Sequence, residues 1–189
     1  MILITGAAGY IGSHVAKQLL LDGKEIIVID NLSTGFQSTI DTLQKIKVFN
    51  FINLDLKEFE KVEEVFKKYD IRTVIHFAAF SQVGESMTNP LKYYMNNTVN
   101  TTNLVKCASQ NGVNKFIFSS TAATYGEPNF KETNITTIDE EFDTKPINPY
   151  GTSKLMSENI IKDEAKVNKN LKYLIFRYFN VAGADINYE

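Results

Sequence analysis

Apolar runs too short for helices alternate along this chain with longer segments of helical period, and that alternation constrains the fold more than any other feature. Residues 1–4, 25–29, 47–52, 73–77, 115–119 and 173–176 are of strand length. Helices are predicted over 10–21, 58–68, 91–111 and 150–167. Ile11, Val15 and Leu19 share one face of the first, and Val62, Val65 and Phe66 one face of the second. Strands that are apolar on both sides need helices on both sides. The pattern therefore predicts an α/β fold, a doubly wound parallel sheet. Residues 127–148 break it, with Pro128, Pro146 and the acidic run Asp139-Glu140-Glu141. They read as an excursion loop, which in an open α/β sheet lies over the ligand crevice.

At 189 residues the chain is expected to form one domain, 1–189. Its net charge of −2 offers no basic excess to follow a phosphate backbone, which argues against nucleic acid as a partner. Cys107 is the only cysteine, so an intrachain disulfide and a cysteine-ligated zinc are excluded. Its flanks read as helix, and a buried structural thiol is expected. His14 and His76 are far apart and read as packing or polar-edge residues; no metal site is expected. The N-terminal run has no positive leader, and Asp22, Asp30 and His76 cut the apolar stretches well short of the ~20 residues that span a bilayer. The expectation is a soluble cytoplasmic protein that does not enter a membrane.

Thr5-Gly6-Ala7-Ala8-Gly9-Tyr10-Ile11-Gly12 joins the first predicted strand to the first helix. Glycines there permit a tight turn and leave backbone N–H groups bare, and with the positive helix N-terminus these can hold a pyrophosphate. Three glycines alone are weak evidence. Asp30 strengthens them, because it ends the next strand about twenty residues on, where a dinucleotide-binding (Rossmann) fold places its ribose acid. A carboxylate there accepts from both ribose hydroxyls and repels a 2′-phosphate, so NAD is expected rather than NADP. Asp55 and Leu56, after the third strand, are candidates for the adenine ring.

Tyr150 and Lys154 stand at i and i+4, on one helical face. A free phenol is a poor base near neutral pH. A neighbouring ammonium, a cationic nicotinamide and a helix N-terminus all favour the phenolate, and Pro149 can open the helix so that Tyr150 falls in its first turn. The pattern is cheap in a chain with nine tyrosines. Ser119-Ser120-Thr121 upstream raises its weight, since a hydroxyl there could bond the reacting oxygen.

These segments together resemble the N-terminal part of the UDP-glucose 4-epimerase family, within the extended short-chain dehydrogenases/reductases. The resemblance rests on TGAAGYIGSH (5–14), VIDNLSTG (28–35), HFAAFSQVGES (76–86), YYMNNTVNTTNL (93–104), KFIFSSTAATYGE (115–127), NPYGTSKLMSE (148–158) and FRYFNVAGA (176–184). It implies that NAD is contacted by Tyr10, Ile11, Asp30, Asn31, Leu32, Ser33, Thr34, Gly35, Asp55, Leu56, Phe77, Ala78, Ala79, Phe80, Ser81, Asn96, Lys154 and Phe179, beside the loop glycines Gly6, Gly9 and Gly12. Tyr150 is then the base and also touches cofactor and sugar, Thr121 bonds the sugar, and Asn180 meets the nucleotide sugar. The implied reaction removes the 4-hydroxyl proton through Tyr150, passes the C4 hydride to NAD, and returns it to the other face of the 4-keto sugar. A homodimer through the 91–111 and 150–167 helices is implied as well.

Two positions depart from related patterns. Sugar 4,6-dehydratases of the superfamily carry an acidic pair where this chain has Ala122 and Ala123, which disfavours dehydration. Ser81 stands where many family members have Lys. In the family a C-terminal domain holds the UDP group, and here the only arginines are Arg72 and Arg177, so no basic clamp for a sugar diphosphate is expected. Two readings follow: an epimerase acting on a UDP-sugar, or a catalytically silent NAD-binding module.

Overall fold

The computed structural model describes residues 1–127 and 137–185. Six parallel strands, β1 (Ile2–Thr5), β2 (Ile26–Asp30), β3 (Asn50–Asn53), β4 (Thr73–His76), β5 (Lys115–Thr121) and β6 (Lys172–Tyr178), form one sheet in the order β3-β2-β1-β4-β5-β6. After β3 the chain crosses the sheet to β4, next to β1. The order reverses there, and a crevice opens beyond the carboxyl ends of those two strands.

The double winding is visible in how single strands split their side chains. Leu3, Ile27 and Ile29 enter one core with Val74, Phe116 and Phe118, packed under helices that contribute Val62, Phe66, Leu104, Val105 and Ile161. Their neighbours Ile4 and Val28 enter the other core, with Ala16, Leu20, Ile40 and Leu43. The covering helices are α1 (Tyr10–Leu21), α2 (Gln37–Ile46), α3 (Phe59–Lys68), α4 (Val83–Thr88), α5 (Pro90–Tyr93), α6 (Asn100–Gln110) and α7 (Pro149–Val167). Val62, Val65 and Phe66 are buried on α3 as their spacing predicts. Cys107 is fully buried within α6, and burial pushes its thiol up to about 11, as suits a structural cysteine.

Three features differ from the sequence pattern. Helices α2 and α4 escape it: α2 is rich in Ser, Thr and Asp, which are poor helix formers, and only its packing of Ile40 and Leu43 settles the matter. The helix expected over 91–111 begins at Pro90 and contains a π segment, Tyr94–Val99. Such widened turns recur at functional sites. This one buries Asn97, whose amide accepts from the Phe80 N–H (2.9 Å) and donates to the Phe80 carbonyl (3.0 Å). Of the excursion loop, residues 128–136 lie outside the described residues, and 137–148 run without helix or strand into α7.

Candidate active site

The crevice is one groove with two ends. Its first part is lined by Gly6, Gly9, Asp30, Asn31, Ser33, Thr34, Asp55, Leu56, Phe77, Ala78, Ala79, Phe80 and Asn96. The second is lined by Tyr10, Ile11, Gly12, Ser81, Thr121, Tyr150, Lys154, Phe179 and Asn180. Gly6, Gly9, Thr34, Phe77 and Ala79 line both, which joins them. Of the residues expected at the site, Leu32 and Gly35 line neither part. Leu32, at φ 56, packs against the α1/α2 core, and Gly35 presses on Ala8.

At the nucleotide end, Gly9 caps α1 without a side chain, so the first-turn amides face the groove with no competing side-chain acceptor. Gly12 in that turn is required: a Cβ there would lie 2.2 Å from the Gly6 carbonyl oxygen. The Asp30 carboxylate also braces this loop, accepting from the Ala8 N–H at 3.0 Å and the Leu32 N–H at 2.9 Å. Asp55 accepts from the Asn31 amide and the Lys57 N–H, each at 2.9 Å. Burial acts against its charge, but these donors and the Lys57 ammonium hold its pKa below the usual range.

At the other end, Asn148 caps α7 by accepting from the Gly151 N–H at 2.8 Å, and Pro149 opens the helix, which puts Tyr150 in the first turn. Gly151 lets that turn approach the end of β5, since a Cβ would sit 2.6 Å from the Ala123 carbonyl oxygen. The Tyr150 ring stands edge-on to buried Tyr93, with centroids 6.4 Å apart. Lys154 is buried; its ammonium donates to the Ser119 carbonyl at 2.7 Å and lies 4.8 Å from the centre of the Phe118 ring.

Burial sets the electrostatics here. It draws the Lys154 ammonium down to about 7, against the pull of Glu158. It also pushes the Tyr150 phenol up, opposed by a hydrogen bond with Thr121. The phenol thus moves opposite to the direction expected from Lys154 and the helix N-terminus, because desolvation of the phenolate is the largest cause and only the Thr121 hydrogen bond opposes it. Of the three hydroxyls expected near the reacting oxygen, Thr121 is the one bonded to Tyr150. Ser120, on the other face of the strand, donates instead to Glu158.

His76 and His14 take packing and polar roles of the kind read for them. His76 ties the site's elements together beneath the groove. The Thr101 hydroxyl donates to the Asn97 carbonyl (2.5 Å), so it accepts from His76 Nε2 (2.8 Å), and His76 Nδ1 then accepts from Thr5 (2.6 Å). Burial first, and Lys154 second, lower its pKa to about 3, so it stays neutral. His14 packs edge-on against Tyr10, centroids 5.3 Å apart. Sequence reasoning missed Asn97, Glu158 and Arg177, and the one signal in the sequence was that Glu158 continues the i+4 spacing beyond Lys154. Among the described residues no cluster of three or more His, Cys, Asp or Glu could hold a metal, and no helix is long and apolar enough to cross a membrane.

A Gly-rich strand-to-helix turn, an acid closing β2, and a Tyr/Lys pair facing a threonine define a short-chain dehydrogenase/reductase type of site. The chain belongs to the NAD dependent epimerase/dehydratase family, whose model matches residues 2–189. It is 45% identical over 183 residues to a UDP-glucose 4-epimerase of Lacticaseibacillus casei, a match covering 97% of this chain and 52% of that one. The UDP-Glc/GlcNAc 4-epimerase of Campylobacter jejuni superimposes with a TM-score of 0.92 at 52% identity, over 99% of this chain and 55% of that one. The UDP-glucose 4-epimerase of Bifidobacterium longum, solved with NAD+ and UDP, gives a TM-score of 0.92 at 36% identity, over 98% and 55%. The chain therefore spans about half the length of the relatives it matches.

The residues present fit the family's dinucleotide. First-turn amides of α1 suit a pyrophosphate, each Asp30 oxygen keeps a second lone pair for a ribose hydroxyl, and the groove runs unbroken from Asp55 to Tyr150.

Proposed function

We propose that residues 1–189 form the NAD-binding, reaction-bearing domain of an epimerase that inverts C4 of a UDP-hexose, UDP-galactose to UDP-glucose. The observation that carries this reading is the meeting of Tyr150, Thr121 and Lys154 in the wall of a groove that also contains the dinucleotide loop. In this reading the first-turn amides of α1 hold the pyrophosphate, Asp30 the adenosine ribose, and Asp55 with Leu56 the adenine. Phe77 to Ser81, Asn96, Lys154 and Phe179 line the rest of the path. NAD, when bound, would supply a reversible two-electron acceptor for the C4 hydride, so the reaction would have no net redox change.

The chain's own residues handle the proton. Tyr150 takes it from the sugar 4-hydroxyl and returns it to the oxygen of the turned-over 4-keto sugar. Thr121 bonds that oxygen, Lys154 stabilises the phenolate, and Asn180 meets the nucleotide sugar. Ala122 and Ala123 line the groove where a dehydratase needs acids, which favours epimerisation over dehydration.

The same reading includes a homodimer. Leu91, Met95 and Val99 are exposed at i, i+4 and i+8 along the rod from α5 into the π segment, and Met156 is exposed on α7. An apolar stripe of this kind marks a face that packs against a partner.

The test is to purify the chain, add UDP-galactose, and follow UDP-glucose formation with transient absorbance of reduced cofactor. Turnover would mean that these residues complete their own substrate site and would overturn the missing-clamp expectation. Bound NAD without turnover would favour a silent NAD-binding module.

A further inference from the structure

A charged group beneath the reacting end has no part in the chemistry proposed above. Glu158 lies one helical turn after Lys154 on α7 and is fully buried. A lone carboxylate there would be driven neutral. Instead donors from three elements surround it. The Ser120 hydroxyl reaches it from β5 at 2.5 Å. Arg177 reaches it from β6 through Nε at 3.0 Å and Nη2 at 2.8 Å, a bidentate pair, and Lys162 on its own helix lies at 3.2 Å. Burial works against the charge, yet Arg177 and Ser120 hold the carboxyl below its ordinary range. Arg177 in turn lies 4.8 Å from the centre of the Tyr125 ring and donates to the Glu140 carbonyl at 3.5 Å.

The placement matters because of what adjoins each contact. Ser120 lies between Ser119, whose carbonyl takes the Lys154 ammonium, and Thr121, which bonds Tyr150. Arg177 stands two residues before Phe179 in the groove wall. One carboxylate therefore touches both strand ends that wall the reacting cleft, from the helix that carries its base.

We propose that Glu158 is a positioning residue: with Arg177 it clamps the ends of β5 and β6 onto α7 and so holds Tyr150 and Lys154 in register with Thr121. Its role in turnover rests on the epimerase reading, but the clamp itself can be tested without it.

Lys154 reports the clamp. Glu158 faces it from α7 and neutral His76 from β4, and Tyr150 lines the same stretch of groove. Arg177 on β6 and Lys162 on α7 stand behind Glu158, and β5 presents the Phe118 ring and the Ser119 carbonyl. Removing the Glu158 charge takes away support for the ammonium, and an Arg177 left unpaired pushes the same way. Lys154 then loses its proton at lower pH.

The experiment is an NMR titration of the 189-residue chain carrying 13Cε/15Nζ-lysine, with the Lys154 signal identified by its loss in Lys154→Met. Glu158→Gln should lower the Lys154 midpoint by about one pH unit, a tenfold fall in proton affinity, and Glu158→Asp should recover part of it. Glu158→Met/Arg177→Met replaces the pair with apolar groups, a change that buried ion pairs commonly tolerate, and should also titrate below the native chain. A midpoint within about 0.3 unit of native in both the Gln and the double variant overturns the clamp. Turnover of UDP-galactose, measured in parallel, separates the two ideas. Native turnover with an unmoved midpoint overturns the clamp alone. A shifted midpoint in a chain without native turnover upholds the clamp and overturns the epimerase reading for this chain.

Discussion

The Lys154 ammonium is docked on the Ser119 carbonyl, 2.7 Å away, so the charge proposed to steady a phenolate is fixed to the end of β5. Docking it there places it in a dry pocket that draws its pKa down to about 7. The folded value lies below the unfolded one, near 10.5. Between those limits the unfolded chain holds a proton that the folded chain has released, so stability rises with pH from about 7 to 10.5. Below about 7 the full cost of burying the charge is present. Lys154→Met should remove this slope, which approaches about 1.4 kcal/mol per pH unit. Urea unfolding of both chains at several pH values across that window measures it, and parallel curves would refute the buried-ammonium assignment.

Tyr150 is held by its ring against Tyr93 and by its position in the capped first turn of α7, so removing one oxygen leaves that frame intact. Tyr150→Phe should therefore bind NAD as the native chain does while turnover falls by roughly 10²-fold or more, the scale of a lost general base. Cofactor binding by fluorescence and single-turnover reduction of bound NAD by UDP-galactose are the measurements. Reduction at the native rate would remove Tyr150 from the role of base.

Asp30 does two things at once. In the proposed function it discriminates the ribose, and it accepts from the Ala8 and Leu32 amides that shape the glycine loop. Asp30→Ala should relax the preference for NAD over NADP and also destabilise the fold by roughly 1–3 kcal/mol, because two amides lose a mostly buried acceptor. Competition binding of the two cofactors and chemical denaturation test the two effects separately. A variant that keeps its preference would show that the carboxylate serves the loop alone.

The sequence discloses features that repeat along the chain or sit at a fixed spacing. The six strands emerge because each is a short apolar run, and Gly12, Asp30, Tyr150 and Lys154 because their spacings have direct geometric meaning. α2 stays hidden because its Ser, Thr and Asp residues favour turns, and only the burial of Ile40 and Leu43 makes it a helix. The π segment is equally silent, and the bonds that Asn97 within it makes to both polar groups of Phe80 reach across 17 residues. The His76 and Glu158 networks join elements distant in the chain, and no local pattern encodes them. The direction of the Tyr150 shift was unreadable for a related reason, since burial is a property of the assembled core.

The stripe of Leu91, Met95 and Val99 gives the dimer proposal a direct test. Leu91→Glu/Met95→Glu places two charges on an exposed face, so the monomer fold should persist while self-association weakens by at least about tenfold, the cost of desolvating unpaired charge at a contact. Sedimentation equilibrium reads this, with circular dichroism as the control for folding. A native chain that is monomeric at all concentrations would remove the dimer from the reading.

His76 gives the acid limb its sign. Neutral in the folded chain with a pKa near 3, against 6.5 when unfolded, it resists a proton that the unfolded chain accepts. Stability tied to it is complete above about pH 6.5 and is lost as pH falls toward 3. The lowered carboxyls of Asp55 and Glu158 act in the same direction, since each favours the folded state only while ionised. His76→Gln keeps a polar side chain between Thr5 and Thr101 and removes the titration. It should cost stability at neutral pH through poorer hydrogen bonds, yet flatten the slope between pH 6.5 and 4.5 by up to about 1.4 kcal/mol per unit. Denaturation midpoints at pH 7, 6, 5 and 4.5 for both chains decide it. An equally steep loss in the variant would assign acid sensitivity to the carboxylates alone and leave His76 as a packing residue without electrostatic consequence.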